Sequence, residues 1–192
     1  MIIGITGNSG TGKTEIAKIF AKKINGVIID ADKIAKELSM PGNTYFEEII
    51  KLFGEEVIEN NKLNRKKIAE IIFNNNEKRA KLNDLTNKYV VQEIINEIKK
   101  NNGKNIVLDV PLLFESKLNE KCDKTIGIIA GKRIKIKRII KRDNLSKKEA
   151  KKRLSIQQKN KFYKRNADLI VKNNRNLNKI NLEEICLKLG MN

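Results

Sequence analysis

Apolar positions along the chain follow two patterns. Five short runs have the length of buried strands: Met1 to Thr6, Gly26 to Ile29, Asn105 to Leu108, Thr125 to Ala130 and Asp168 to Val171. Between them apolar residues recur at helical spacing. Ile16, Ala17, Ile19, Phe20 and Ala21 mark one face of a helix from Lys13 to Lys23. Helices are also expected over Tyr45 to Phe53, Arg65 to Phe73 and, the longest, Glu77 to Lys100. The longest carries a stripe of Leu82, Leu85, Tyr89, Val90, Ile94, Ile95 and Ile98. Lys132 to Arg142 and Ser146 to Lys161 read as two basic helices, and Leu182 to Leu189 as a closing one. Pro41-Gly42-Asn43 is a turn, while Gly54 and Asn60-Asn61 are breaks. No strand pattern is visible between the second and third strands.

Strands alternating with helices predict an α/β fold with a parallel sheet. The roughly 50 residues of helix before the third strand exceed what a plain crossover needs, and read as a substrate-binding insertion. The expected organisation is one unit, 1–192. Its core takes residues 1–31, 101–131 and 166–192, a helical subdomain 32–100, and a lid 132–165.

Gly7-Asn8-Ser9-Gly10-Thr11-Gly12-Lys13-Thr14 has the spacing G-x-x-x-x-G-K-[ST]. Its glycines let the backbone turn N–H groups inward around a phosphate. Lys13 can put a cation on the β- and γ-phosphates of ATP, and the Thr14 hydroxyl can hold Mg²⁺. The motif lies between an apolar strand and a helix, the context that distinguishes a phosphate loop from a chance glycine-rich turn. Asn8, Ser9, Gly10, Thr11, Gly12, Lys13 and Thr14 are therefore the expected ATP-binding residues.

Three acids stand at strand ends: Asp30, Asp32 and Asp109. The chain has no histidine, which excludes Ser-His-Asp, Cys-His and His-metal chemistry and leaves a carboxylate as the natural proton acceptor. Asp109, after the third strand, suits Mg²⁺ or its water shell. Asp30 suits helix capping or a metal-bound water. Asp32 reaches furthest toward the inserted helices and suits the general base. Arg133, Arg138, Arg142, Arg153 and Arg165 read either as a solvated basic face or as a lid clamping phosphates. Arg138 and Arg142, four apart, share one helix face.

Composition narrows the partners. A net charge of +18, from 41 basic and 23 acidic residues, attracts polyanions. The abundance of Lys, Asn and Ile fits AT-rich coding, so most of the lysines read as solvated surface. Aromatic residues are 5% of the chain, few for stacking platforms, and no functional nucleic-acid partner is expected. No apolar run reaches the roughly 18 residues of a membrane span. No leader precedes the first strand, and Cys122 and Cys186 are isolated, so a cytoplasmic protein with reduced thiols is expected.

Taken together, several segments resemble the dephospho-CoA kinase family along nearly the whole chain. They are the loop Gly7 to Thr14; Ile29-Asp30-Ala31-Asp32; Pro41-Gly42; Leu63 with Arg65; Ile72-Phe73 with Leu82 and Leu85; Val110 to Glu115; Arg138 with Arg142-Asp143; Arg153 with Gln157; and Ala167-Asp168 with Asn173-Asn174. The resemblance implies a three-layer P-loop kinase fold with a five-stranded parallel sheet, an inserted helical CoA-binding domain and a helical lid. It implies phosphorylation of the ribose 3′-hydroxyl of dephospho-CoA by ATP with Mg²⁺, and a monomer is expected. Asp32, Lys13, Arg138 and Arg142 would be catalytic. Asp30, Asp32, Arg65 and Leu112 would contact the acceptor, and Thr14 and, indirectly, Asp109 the metal. The family usually has His-Pro at Asn87-Lys88 and Gln at Lys135. Without that Pro, two helices are expected to run together. The alternatives are a nucleic-acid-binding P-loop NTPase, another small-molecule or nucleoside monophosphate kinase, and a regulatory protein that keeps the ATP site without turnover.

Overall fold

The computed structural model describes residues 1–174 and 181–190. Parts of the expected core stretch 166–192, at 175–180 and 191–192, thus lie outside the described residues. The chain divides into two compact units, one of residues 1–29 and 101–192, the other of residues 30–100.

The first unit is built on a five-stranded parallel sheet in the order β2-β5-β1-β6-β7. Its strands are β1 (Ile2–Thr6), β2 (Val27–Asp30), β5 (Ile106–Asp109), β6 (Lys124–Ile129) and β7 (Leu169–Lys172). β1 is central and pairs in parallel with β5 and β6, with Ile5 opposite both Asp109 and Ile126. Isoleucines and valines make these strands because β-branched chains fill both faces of a sheet covered by helices. α1 (Lys13–Lys23) covers one face. Its Ile16, Ala17, Phe20 and Ala21 are buried with Ile3, Ile5, Val107, Ile126 and Ile128. α10 (Leu182–Lys188) adds Ile185 and Cys186 to the same cluster. Both cysteines are free, and burial pushes the Cys122 thiol up to about 12.

In the region expected to form two basic helices there are three: α7 (Lys132–Asp143), α8 (Lys147–Ser155) and α9 (Asn160–Asn166). The expected helix from Ser146 to Lys161 breaks after Ser155. The side chain of Gln157 and the carbonyl of Gln158 leave the helical path to bond Ser9 and Asn8. α8 opens with a capping box, in which Ser146 and Glu149 satisfy each other's backbone N–H. α7 and α8 share a small core of Ile136, Ile139, Ala150 and Leu154.

The second unit contains α2 (Ala31–Leu38), α3 (Thr44–Phe53), α4 (Arg65–Asn74), α5 (Asn76–Thr86) and α6 (Gln92–Lys100). Tyr45, Ile49, Phe53, Val57 and Ile68 form its centre, with Leu82, Leu85 and Tyr89 packed on them. A two-stranded antiparallel hairpin, β3 (Ile58–Glu59) and β4 (Lys62–Leu63), stands where no strand was expected. Asn60 and Asn61 have φ of 50° and 58°. These are the left-handed positions of a two-residue hairpin turn, which asparagine tolerates. The long helix expected from Glu77 to Lys100 is continuous, but Asn87–Val91 is a π-helical turn between α5 and α6. Thr86 and Gln92 on either side stay helical (φ −60° and −61°), so the helices run together as the missing Pro predicts.

Asp168, at the entry to β7, ties that strand to β6. Its Oδ2 accepts from the Thr125 N–H at 2.8 Å and the Thr125 hydroxyl at 2.6 Å, and the Thr125 hydroxyl also accepts from the Asp168 N–H at 3.0 Å. The Thr125 hydrogen bond holds the carboxyl below its usual range. A carboxylate with a lowered folded pKa contributes stability that is complete above its unfolded pKa and is lost as pH falls through the folded one. Asp168→Ala is expected to cost about 1–3 kcal/mol at neutral pH by stranding the buried Thr125 donors. The gap in Tm between variant and wild type should shrink as the solution is acidified below the usual carboxylate range. Thermal melts at a series of pH values check this, and a gap independent of pH would show that the ionised carboxylate is not the stabilising partner.

Candidate active site

The loop Gly7 to Thr14 leaves the carboxyl end of the central strand and runs into α1. That is where open α/β sheets present their ligands. Gly10 and Gly12 have φ of 77° and 82°, a region that L side chains resist. Space also demands them. A Cβ on Gly10 would lie 2.6 Å from the Lys135 carbonyl of α7, and one on Gly12 2.5 Å from Nδ2 of Asn173. Because Gly12 is the N-cap, no side chain caps α1. Its first-turn N–H groups, at the positive end of the helix dipole, can receive an anion.

Two ionised groups meet behind this helix start. Lys13 is buried, and its Nζ pairs with Oδ1 of Asp109, itself 1% exposed. Parallel pairing of β5 with β1 sets Asp109 opposite Ile5. The other carboxylate oxygen, Oδ2, is buried and has no hydrogen-bond partner among the described residues. A buried, unpartnered carboxylate oxygen is costly, and its natural companion is a cation or a cation's water. Thr14, the other residue expected at the metal, is in the first turn of α1.

The loop backbone is held from far along the chain. Asn8 is 6% exposed; its Nδ2 donates to the Gln158 carbonyl at 2.8 Å, and its Oδ1 accepts from the Tyr163 hydroxyl at 2.6 Å. Burial raises the Tyr163 pKa, keeping the phenol a donor. Gln157 grips Ser9 twice, accepting from its N–H at 3.0 Å and donating to its hydroxyl at 3.1 Å. Asn173 donates to the Thr11 carbonyl at 2.8 Å. The Arg138 guanidinium donates to the carbonyls of Gly10 and Thr11, both at 3.3 Å, and to that of Asn173 at 3.1 Å.

Within this unit, Asn8 to Thr14, Asp109 and Arg138 therefore come together. Arg142 instead forms a fork with Asp143, Nε to Oδ1 at 2.8 Å and Nη2 to Oδ2 at 3.0 Å, and Arg153 joins that carboxylate at 2.7 Å. The two arginines lower the Asp143 pKa, chiefly through the Arg142 hydrogen bond. Leu112 is 42% exposed. In the second unit Asp30 caps α2: its Oδ1 accepts from the N–H groups of Asp32 and Lys33 at 2.9 and 3.1 Å. Asp32 lies in the first turn of that helix and Arg65 opens α4.

Sequence reading assigned no role to Gln157, Gln158, Tyr163 or Asn173. Gln157 and Asn173 stood only among the family-like segments, and no local spacing could pair residues 148 to 162 positions from the loop. Lys135, also given no role, is 7% exposed, and its Nζ donates to Oδ1 of Asn160 at 3.2 Å. Burial, then the nearby Lys132 charge, lowers its pKa.

The family model for dephospho-CoA kinase matches residues 1–179. A dephospho-CoA kinase of Fusobacterium nucleatum is 39% identical over 178 residues, covering 92% of this chain and 91% of that one. Among solved structures, a chain from Thermus thermophilus matches with a TM-score of 0.79 at 25% identity, covering 97% of this chain and 94% of that one. The dephospho-CoA kinase of Campylobacter jejuni matches with a TM-score of 0.62 at 28% identity, covering 98% and 94%. Similarity that runs the length of the sheet, the loop and the inserted helices places the chain in the dephospho-CoA kinase family.

Proposed function

We propose that this chain transfers the γ-phosphoryl group of ATP to the ribose 3′-hydroxyl of dephospho-CoA, giving CoA and ADP in the last step of CoA biosynthesis. The observation that carries the reading is the uncapped start of α1 beside the buried Lys13–Asp109 pair, in a chain of this family. Uncapped N–H groups and a buried ammonium form a site for a polyphosphate.

In this reading Asn8 to Thr14 bind the ATP phosphates, and Lys13 is the cation on the β- and γ-phosphates. Residues 132–165 form the lid, and its working side chains are Arg138 and Arg142. Arg138 acts by bracing the loop carbonyls of Gly10 and Thr11, and Arg142 by offering its fork to phosphate in exchange for Asp143. Thr14 and, through water, Asp109 would hold Mg²⁺. The orphaned Asp109 Oδ2 is the observation that favours this fit. Bound there, the ion would neutralise charge on the phosphate oxygens.

Residues 32–100 would bind the acceptor, with Asp30, Arg65 and Leu112 among its contacts. Asp32 would take the proton of the ribose hydroxyl. Capping bears on the choice between neighbouring acids: Asp30 gives one oxygen to the α2 backbone and so has a structural task. Two free cysteines favour a cytoplasmic setting.

The decisive experiment is coupled ADP release with ATP and Mg²⁺, with and without dephospho-CoA. Release that does not depend on dephospho-CoA would refute the reading. Within it, Lys13→Ala should lose at least ~100-fold in turnover while staying folded, because charge stabilisation in the transition state is lost. Near-normal turnover in a folded variant would remove Lys13 from the chemistry. Asp32→Asn should bind ATP normally while kcat drops by roughly 10²–10⁴, the usual effect of losing a general base. Asp30→Asn should keep most activity, since asparagine also caps helices well. If the two variants exchange these outcomes, Asp30 is the base.

A further inference from the structure

The net charge is not spread along the chain. Residues 132–165 hold sixteen Lys and Arg against two acids, Asp143 and Glu149, and so supply fourteen of the eighteen net charges. The rest of the chain has twenty-five basic residues against twenty-one acidic ones. A coding bias toward lysine acts everywhere and cannot concentrate charge in one segment.

Helix stability does not explain the concentration either. α7 begins with Lys132 and Arg133, α8 with Lys147 and Lys148, and α9 has Lys161 at its second position. Cations there face the positive end of the helix dipole, which costs local stability. The first turns of α7 and α9 contain no acid to compensate. Ile136, Ile139, Ala150 and Leu154 face the small core between α7 and α8. Lys132, Arg133, Lys137, Lys141, Lys147, Lys148 and Lys151 are exposed. The same segment touches the phosphate loop through Arg138, Gln157, Gln158 and Tyr163. The segment that carries this charge therefore abuts the loop where ATP is read to bind.

We propose that the exposed basic surface of α7 and α8 is an electrostatic collector for the polyphosphate substrates, speeding their capture without taking part in phosphoryl transfer. This rests on the reading of the loop as an ATP site. Both substrates of that reaction are anionic: ATP carries a triphosphate and dephospho-CoA a pyrophosphate. A single-signed field beside a cleft raises the local concentration and capture rate of such ligands, and salt screens it. The exposed lysines of α7 and α8 thus act on kcat/KM, and the residues that grip the loop act on kcat.

The test compares wild type with Lys147→Gln/Lys148→Gln/Lys151→Gln. As control it uses Lys22→Gln/Lys104→Gln/Lys121→Gln, three exposed lysines of the same unit outside this segment. Dephospho-CoA-dependent turnover by wild type establishes the underlying reading first, so its failure is seen separately. At about 0.01 M ionic strength the α8 variant should lose roughly 3- to 10-fold in kcat/KM for ATP with kcat unchanged. At about 0.15 M the loss should shrink as screening shortens the reach of the field. The control should stay near wild type. A kcat/KM equal to the control's at both salts overturns the proposal, as does a fall in kcat. Tight binding of a duplex oligonucleotide at physiological salt, abolished only in the α8 variant, also overturns it, since the surface would then serve nucleic acid.

Discussion

The first unit depends on a loop that would not keep its shape by itself. Gly10 and Gly12 sit at positive φ, so the bend that points amides inward is sterically accessible, but access is not persistence. Glycine gives up the most conformational freedom on ordering, so a glycine-rich turn must be held by something else. The holding groups are polar side chains aimed at loop backbone: Gln157 on Ser9, Asn173 on Thr11, and Arg138 on Gly10 and Thr11. Close approach is part of the same device. The carbonyl of Lys135 and the amide of Asn173 occupy the space a Cβ would need at Gly10 and Gly12. The glycines and their distant braces form one constraint, and neither part works without the other.

The second unit solves a different problem, a change of register inside one long helix. Leu82, Leu85 and Tyr89 follow helical spacing onto the cluster around Tyr45 and Phe53. Val90 and Ile94 are then the buried positions, so the stripe has moved by one residue. A π turn inserts one residue without breaking the helix, and Asn87–Val91 is where it falls. Tyr45 secures the turn from α3: its hydroxyl lies 2.9 Å from that of Thr86, and its ring centroid 5.7 Å from that of Tyr89.

This contrast explains what could be read from sequence. The five strands, the glycine-rich loop and the long helix were legible because each is encoded locally, by an apolar run, a glycine spacing or a helical stripe. The hairpin at Asn60-Asn61 was locally encoded too, but strands of two residues are too short for a period to show. The break after Ser155 was not encoded locally. Ile156 to Lys159 has ordinary helical composition, and the competing bonds of Gln157 and Gln158 go to residues 148 and 150 positions away. Asp109 was legible as an acid beside the loop, but its pairing with Lys13 was not, since that requires knowing that β5 lies next to β1.

That pairing is a poor investment if stability is the criterion. Burying two charges costs several kcal/mol in desolvation, and the mutual attraction recovers it only when every remaining polar atom finds a partner. Here Asp109 Oδ2 has none among the described residues, so the balance is unfavourable compared with two apolar residues of similar size. Nor does the pair close the core. The packed cluster of Ile3, Ile5, Ile16 and Phe20 already does that. What the pair does is fix the ammonium of Lys13 at the start of α1 and leave one anionic oxygen unspent beside it. Both features suit a charged guest better than a folded core. A local loss of stability at this point is the expected signature of residues kept for chemistry.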